Sequence, residues 1–559
     1  MTGQRTIGVI GHVDHGKTAL VHALTGMETD RLAEERARGL SIVPDYAWFA
    51  TPGLAVDLID VPGHEDFIRN MVAGASGIDA VLLVVDAGEG VMPQTREHVA
   101  IAGLLGVRQG VCALARCDRV GAATRAQAAA ALEDWLAGSF LAGSPVIPTS
   151  AATGEGVETL RATLVALGES SATAAGGVHL PVDRVFSRRG HGTVITGTVR
   201  GGAVRAGDEL VLMPAGRPVQ VRGLQCHGEA VTAAGRGARL AVNLRGAEVA
   251  DVQRGDALAL PGVLVASGTA DVALTVLAGA APLPRHGGRV RVHAGTAVTT
   301  ARLRVLDAEA LVPGGECLVQ LDFEMPLALA DRERLVLRSE SPVHTLGGGT
   351  VLARDLARHR RRDPATVSHL RALAAGEDDR RWAALLDAAG EAGLELDDPR
   401  LAGAPAGSDL CRALDAVIVD DRVLLRRATI RTLEARVLQA LAAFHDEAPT
   451  RRGLSPAALA DRCGLDARAP VTAFVLQDLR VRGQTDVSEG LVALAGHDPF
   501  AALPATERER LGAIEAAVRE AWLRPPEPGA VLAGGGSDAR LAGLLREHGR
   551  VVLTPGEQA

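Results

Sequence analysis

The chain contains a single lysine, Lys17, inside the run Gly11-His12-Val13-Asp14-His15-Gly16-Lys17-Thr18, and every other basic residue among its 59 Lys+Arg is arginine. Arginine thus serves wherever positive charge is wanted, except at the one place where a forked, planar head would be too large. Backbone wrapped closely around phosphates leaves room only for a compact ammonium. The spacing G-x-x-x-x-G-K-T makes the same demand. A strand must deliver such a loop and a helix must leave it, which holds this part of the chain to an α/β sheet.

Residues 5–170 keep that rhythm. Residues 6–11 read as a buried strand running into the loop, and 17–25 as the helix that follows. Further strands are predicted at 54–60, 80–86, 110–115 and 145–149, with helical patterns near 94–105, 123–136 and 156–168. This is the pattern of a mostly parallel sheet covered on both faces. The Ala/Gly/Ser stretch 170–177 reads as a linker. Short strands punctuated by glycine follow at 181–186, 192–199, 208–213 and 218–226, predicting small β-barrels over 178–262 and 264–352. The Gly347-Gly348-Gly349 turn closes the second. After His359-Arg360-Arg361-Arg362 the chain turns helical, with strand pairs at 416–419 with 423–425 and 482–485 with 491–493. Helical modules each ending in a β-wing are predicted at 363–428, 429–497 and 498–559.

Bulk properties narrow the class. At 559 residues the chain is too long for one core. It has no apolar run of about eighteen residues and no charged-then-apolar N-terminal signal, so a cytoplasmic, non-membrane protein is expected. Cys112, Cys117, Cys226, Cys317, Cys411 and Cys463 show no metal-ligand spacing and read as reduced, mostly buried thiols. A net charge of −8 argues against a generally basic nucleic-acid binder, and 2% aromatics, with Tyr46 the only tyrosine, count against base-stacking platforms. Any RNA contact must use local patches such as Arg360-Arg361-Arg362, Arg426-Arg427 or Arg451-Arg452, whose ordinary role is as solvated helix ends or joints between modules.

Around the loop, Val13, Asp14, His15, Gly16, Lys17, Thr18 and Ala19 would hold the phosphates through backbone N–H groups, the helix N-terminus and the ammonium. The Thr18 hydroxyl would ligate Mg²⁺. Asp60-Val61-Pro62-Gly63 ends a predicted strand, where Asp60 can hold Mg²⁺ through water and Gly63 can sense the terminal phosphate. Ser41, in a polar loop, offers the metal a second hydroxyl, and Asp14 is a candidate ligand for a monovalent cation. Asp118, after a strand and beside Arg116 and Cys117, can accept hydrogen bonds from a guanine edge, with Ser150, Ala151 and Ala152 lining the base. His64 is the candidate to orient the attacking water, since phosphoryl transfer needs positioning and electrostatics above all. The expected cofactors are therefore GTP/GDP and Mg²⁺.

These residues resemble the translational GTPases, which carry G-H-V-D-H-G-K-T and D-x-P-G-H ahead of a pair of barrels. More narrowly, the chain is similar to the selenocysteine-specific elongation factor family. The similarity is carried by Ala23-Leu24-Thr25-Gly26, Thr29-Asp30-Arg31-Leu32, Glu34-Glu35 and Arg38-Gly39. It continues through Val182-Asp183-Arg184-Val185-Phe186, Gly190-His191-Gly192-Thr193-Val194-Ile195-Thr196-Gly197-Thr198, Val221-Arg222-Gly223-Leu224-Gln225 and Ala241-Val242-Asn243-Leu244. It is dense to about residue 360 and looser to about 550. It implies an α/β P-loop GTPase domain over 1–174, two all-β barrels and an array of winged-helix modules. It further implies a monomeric, GTP-dependent carrier of selenocysteinyl-tRNA that works on the ribosome beside an mRNA hairpin. The family's amino-acid pocket falls on Asp183, Arg184 and Arg239. Guanidiniums there would favour a selenolate over a serine hydroxyl.

The chain departs from the family at four places. Ser41 stands where threonine is usual. The base-recognition run, normally Asn/Thr-Lys-x-Asp, is Ala115-Arg116-Cys117-Asp118, and residues 43–50 differ in detail. The family carries a further terminal module, the one that chiefly grips the mRNA hairpin, beyond the three found here. Two other readings stay open at this point: a general aminoacyl-tRNA or initiation-type carrier, and a GTP-sensing RNA-binding regulator without a delivery role.

Overall fold

The computed structural model describes residues 3–28, 45–61, 78–167, 177–188, 192–280, 282–355, 357–376, 378–401, 403–520 and 536–551. Strands β1 (Gly3–Ile10), β2 (Asp45–Thr51), β3 (Leu54–Asp60), β4 (Ala80–Asp86), β5 (Gly110–Ala115) and β6 (Val146–Pro148) form one sheet in the order β2-β3-β1-β4-β5-β6. Only β2 runs antiparallel. Helices α1 (Lys17–Thr25), α2 (Pro93–Leu104), α3 (Ala122–Leu136) and α4 (Val157–Ala166) cover both faces. Alternation along the strands decides which side each residue serves. Ile7, Val9, Leu82 and Val84 pack with Leu20 and Leu24 of α1 and Leu160 and Leu164 of α4. Ile10, Leu83, Val85 and Leu114 pack with Val99 and Ile101 of α2 and Leu132 and Leu136 of α3. Both faces being covered, β4 is apolar and buried at almost every position, as a central parallel strand requires. The strand order reverses around β1, so the crevice for a ligand opens at its carboxyl end.

The next sheet is antiparallel, with strands His179–Pro181, Ala257–Ala259, Glu209–Met213, Arg217–Cys226, Arg239–Arg245, Gly192–Thr198 and Arg184–Arg188 bonded in that order. The predicted strand 181–186 is in fact two. His179–Pro181 pairs with Ala257–Ala259, while Arg184–Arg188 pairs with Gly192–Thr198. Val182 and Asp183 turn the chain between them, their N–H groups donating to Asp256 and Thr196 carbonyls at 2.8 and 2.9 Å. The bend was invisible to an alternation argument because both halves are extended. The second barrel is closed by Val265–Val276, Glu316–Leu329, Ala297–Val305, Arg289–Ala294, Arg334–Arg338 and Thr345–Arg354. Its glycines permit that closure: a Cβ on Gly347 would meet the Thr275 carbonyl oxygen at 2.2 Å.

Two compact units result, Met1–Ala384 with Asp398–Ala404, and Leu385–Asp397 with Pro405–Ala559. The helix Pro364–Ala374, which pattern alone assigned to the first terminal module, packs on the second barrel in the first unit. Its Arg371 ion-pairs with Asp307 there at 3.4 Å. In the second unit, Leu394–Glu395, Val423–Arg426 and Ala416–Val419 make a small sheet. Helices Arg427–Glu447, Pro456–Cys463 and Pro470–Val481 then precede the wing Thr485–Ser488 with Leu491–Leu494. The wing starts at Thr485 and not at residue 482, because Arg482 caps the preceding helix and Gly483 turns with φ 67°. Helices Ala505–Glu520 and Gly536–Glu547 share a core of Leu511, Ile514, Leu541 and Leu545.

The basic patches are largely engaged locally. Arg361 donates to the Ala308 and Glu309 carbonyls, and Arg362, Arg426, Arg427 and Arg452 pair with Glu309, Asp387, Asp415 and Glu489. The six cysteines are free thiols, four of them buried. Among the described residues no helix is long and apolar enough to cross a membrane.

Candidate nucleotide site and barrel pocket

The phosphate loop leaves β1 through Gly11, at φ 143°, where a Cβ would lie 2.2 Å from the Val84 carbonyl oxygen. It enters α1 through Gly16, at φ 85°, which leaves the first N–H groups of the helix without a side-chain cap. Those open donors, at the positive end of the helix dipole, are what a phosphate uses. Lys17 is folded into the loop, its Nζ donating to the Gly11 carbonyl at 3.1 Å and the His12 carbonyl at 2.7 Å. Burial pulls its pKa down to about 8 against the pull of Asp60 and Asp14. The register Val9↔Asp60 brings the end of β3 beside the loop. There the Thr18 hydroxyl donates to Asp60 Oδ2 at 2.8 Å. A hydroxyl and a carboxylate, with phosphate oxygens in reach, form an all-oxygen donor set suited to Mg²⁺. Ser41, Gly63 and His64 lie outside the described residues, as do Thr29–Leu32, Glu34-Glu35, Arg38-Gly39, Gly190-His191 and most of the 170–177 linker.

Sequence reasoning missed what fixes the loop from behind. From α2, Gln94 Oε1 accepts the Val13 N–H at 3.2 Å and His98 Nδ1 accepts the Gly11 N–H at 3.3 Å. Burial lowers the His98 pKa to about 3, with the Lys17 charge adding to the effect, so the ring is neutral and can accept. Gln94 and His98 are four apart, on one helical face. That spacing, just inside a Pro93 helix start, was the available signal. His15 contributes its backbone to the loop while its ring is fully buried. There Nδ1 accepts the Asp86 N–H at 3.2 Å and Nε2 lies 3.2 Å from Glu89. Burial holds its pKa below the usual value, so the ring is structural.

For the base, Arg116 takes φ 55° and its shaft lies along Gly16, its Nε 3.6 Å from where a Cβ would be. Its guanidinium pairs with Asp86 at 3.2 Å. Arginine thus braces the phosphate loop from the base side. Ser150, buried, hydrogen-bonds the exposed Asp118 and holds its carboxyl below the usual range. Cys117 N–H donates to the Thr149 carbonyl at 3.1 Å, tying the two base-side loops together. Ala151 is half-buried and Ala152 exposed beside them.

In the first barrel, Asp183 and Arg239 come together. Arg239 bonds both carboxylate oxygens of Asp183, at 2.5 and 3.2 Å, and the Thr196 hydroxyl also donates to Asp183. Burial works against the Arg239 charge, but Tyr46 and Asp183 raise its pKa above the ordinary value. Arg184 is exposed, its backbone in register with Thr196. Tyr46 of β2, which sequence reasoning did not place here, sits with its ring 3.4 Å from the Arg239 guanidinium carbon, its hydroxyl 3.4 Å from Asp183. Burial pushes its pKa up to about 12. Two residues along β2, Trp48 stacks on His227 of the barrel with centroids 4.3 Å apart. His227 also pairs with Asp57 of β3 at 2.6 Å. The β2–β3 hairpin therefore carries Asp60 at the nucleotide end and Tyr46 and Trp48 against the barrel.

Family models match four segments of the chain. Residues 3–170 match the Elongation factor Tu GTP binding domain and 192–259 the Elongation factor Tu domain 2. Residues 270–358 match the Selenocysteine-specific elongation factor, beta-barrel domain, and 438–494 the Elongation factor SelB, winged helix. The chain is 37% identical to the selenocysteine-specific elongation factor of Desulfomicrobium baculatum, over 98% of this chain and 88% of that one. It is 37% identical to that of Escherichia coli K12 over 67% of this chain and 59% of the relative. Its fold matches the crystal structure of bacterial selenocysteine-specific elongation factor EF-Sec with a TM-score of 0.74, at 25% identity, covering 98% of this chain and 88% of that chain. The phosphate loop, the paired barrels and the winged-helix unit thus place the chain in the selenocysteine-specific elongation factor family of translational GTPases.

Proposed function

We propose that the chain, in its GTP-bound form, carries selenocysteinyl-tRNA to ribosomes at recoded UGA codons in the cytoplasm and hydrolyses GTP on delivery. The observation that carries this reading is the Asp183–Arg239 pair, fixed by Thr196 in the barrel and roofed by a tyrosine from the GTPase sheet. A selenol ionises far more readily than a hydroxyl, so guanidinium N–H groups of Arg239 and Arg184 favour selenocysteine over serine.

Lys17 and the open N-terminus of α1 bind the phosphates, and Asp118 selects guanine. Mg²⁺, held by Thr18 and Asp60 with Ser41, would neutralise charge on the phosphate oxygens. His64 orients a water for attack on the γ-phosphorus, and the bond to the β-phosphate oxygen breaks, giving GDP and phosphate. Gly63 senses the γ-phosphate, and a monovalent cation near Asp14 would offset charge at the loop apex. The winged-helix unit is the part proposed to reach the mRNA hairpin, and the carrier works as a monomer.

The test compares ester hydrolysis of selenocysteinyl-tRNA and seryl-tRNA, on one tRNA body, with and without the protein and GTP. Protection of the selenocysteinyl ester alone is expected. Arg239→Ala should reduce that preference by roughly 10- to 100-fold, the scale of one hydrogen bond to a charged group. Equal protection of both esters means a general carrier, and protection of neither removes the delivery role.

A further inference from the structure

A cleft of about 920 Å³ separates the GTPase domain from the second barrel, on the far side of α2 from the phosphate loop. Its walls come from α2 and α3 on one side and from barrel strands on the other. Arg96, Arg108, Arg334 and Arg371 line it together with Asp307 and Glu316, a local excess of positive charge although the chain is acidic overall. Arg334, from the barrel strand Arg334–Arg338, reaches the turn after α2, its Nε 3.6 Å from a Cβ placed on Gly106. Arg108 is held in place by the Gly103 and Val107 carbonyls at 3.1 and 3.0 Å. Arg96 lies over the Trp135 ring at 5.5 Å.

Among the described residues, none of these three has a carboxylate at ion-pairing distance. Nearby Asp307 is engaged with Arg371 and with the Leu318 N–H. Half-buried Arg334, crowded by desolvation and by the like charges of Arg108 and Arg332, is held below its usual pKa. Glu316 also lines the cleft, so with Arg371 paired to Asp307 the rest of the lining sets three arginines against one carboxylate, a positive excess that an anion would complete. Trp135 and Phe140 supply flat apolar walls in the same cleft. Its volume falls in the range of small-molecule sites, about 300–1,000 Å³. A single strand of nucleic acid is tracked by an extended line of cations with stacking rings along it, whereas here Arg96, Arg108 and Arg334 line a single cleft of bounded volume.

We propose that this cleft binds a phosphorylated small molecule of about nucleotide size, with Arg96, Arg108 and Arg334 on its phosphates and Trp135 and Phe140 against its apolar part. The site is separate from the phosphate loop and does not depend on the tRNA-carrying role.

The experiment uses the full chain saturated with GDP and Mg²⁺, so that the phosphate loop is filled. Tripolyphosphate, ADP and a ten-nucleotide oligouridine RNA are titrated separately, with calorimetry and tryptophan fluorescence as readouts. One equivalent of tripolyphosphate or ADP should bind and change the fluorescence, through Trp135. Arg334→Ala and Arg108→Ala should each weaken that binding at least tenfold, and Arg334→Lys should restore part of it, with GDP affinity and the melting profile unchanged. Tighter binding of ADP than of tripolyphosphate identifies a nucleotide as the ligand, and equal binding identifies the polyphosphate group alone. Absence of binding, binding indifferent to both alanine variants, or tighter binding of the RNA overturns the proposal.

Discussion

Replacing His227 by glutamine should loosen the first barrel from the GTPase sheet, and by an amount the structure bounds. Burial alone would lower the His227 pKa, but hydrogen bonding to Asp57 and to Cys226 raises it to about 10, from 6.5. At about 1.4 kcal/mol per unit, that gap sets an upper bound near ~5 kcal/mol for the cationic form. The His227 side chain is 19% exposed and Asp57 7%, so solvent screens part of the interaction. Asp57 also keeps its hydrogen bond from Gln4 at 2.8 Å. A contribution on the order of 2 kcal/mol remains. Because the folded pKa lies above the unfolded one, this contribution is complete below about pH 6.5 and disappears as pH rises through about 10. Amide exchange of segments 45–51 and 226–229 reads local opening directly. At pH 6, H227Q should open about 30-fold more often than the parent chain, with β5 unchanged as the internal control. The difference should shrink steadily toward pH 9.5. An equal difference at pH 6 and pH 9.5 would show that a neutral ring holds the seam, and the charge argument would fail.

Three further outcomes follow from the nucleotide site. Asp118→Asn removes an acceptor oxygen that Ser150 positions, and equilibrium titration should find GDP binding weakened by roughly 100-fold, the scale of a lost polar recognition contact. Thr18→Ala removes the hydroxyl bonded to Asp60; chelating Mg²⁺ should weaken GDP binding several-fold in the parent chain and hardly at all in this variant. Gly11→Ala would drive a Cβ to 2.2 Å from the Val84 carbonyl oxygen. GDP binding by that variant should fall beyond calorimetric detection, and a melting profile should show the GTPase domain unfolding first.

Much of the first domain was legible because its strands are buried on both faces and its helices are short. The predicted 54–60, 80–86, 110–115 and 17–25 coincide with β3, β4, β5 and α1. Such runs leave little choice, since local sterics and burial ask for the same residues. The phosphate loop was legible for the same reason: two glycines at positive φ and a lysine directly after the second have few other uses. The bend at Val182–Asp183 was not, because extended backbone on either side of it looks continuous. The helix Pro364–Ala374 was assigned to the wrong neighbour because its apolar face, Leu370 and Leu373, says that it packs but not on what.

What the sequence by itself determined is therefore the chemistry of each segment: an ammonium among glycines, a carboxylate after a strand, an Asp and an Arg in the first barrel segment. What only the tertiary structure decided is which of these meet. Gln94 and His98 hold the phosphate loop, Tyr46 roofs Arg239, and His227 lies on Trp48, each across a long separation in sequence. Backbone sterics and side-chain periodicity act over a few residues and can be read in a line of text. The meeting of a barrel hairpin with a GTPase strand depends on how separately closed cores dock, and no local pattern encodes that orientation.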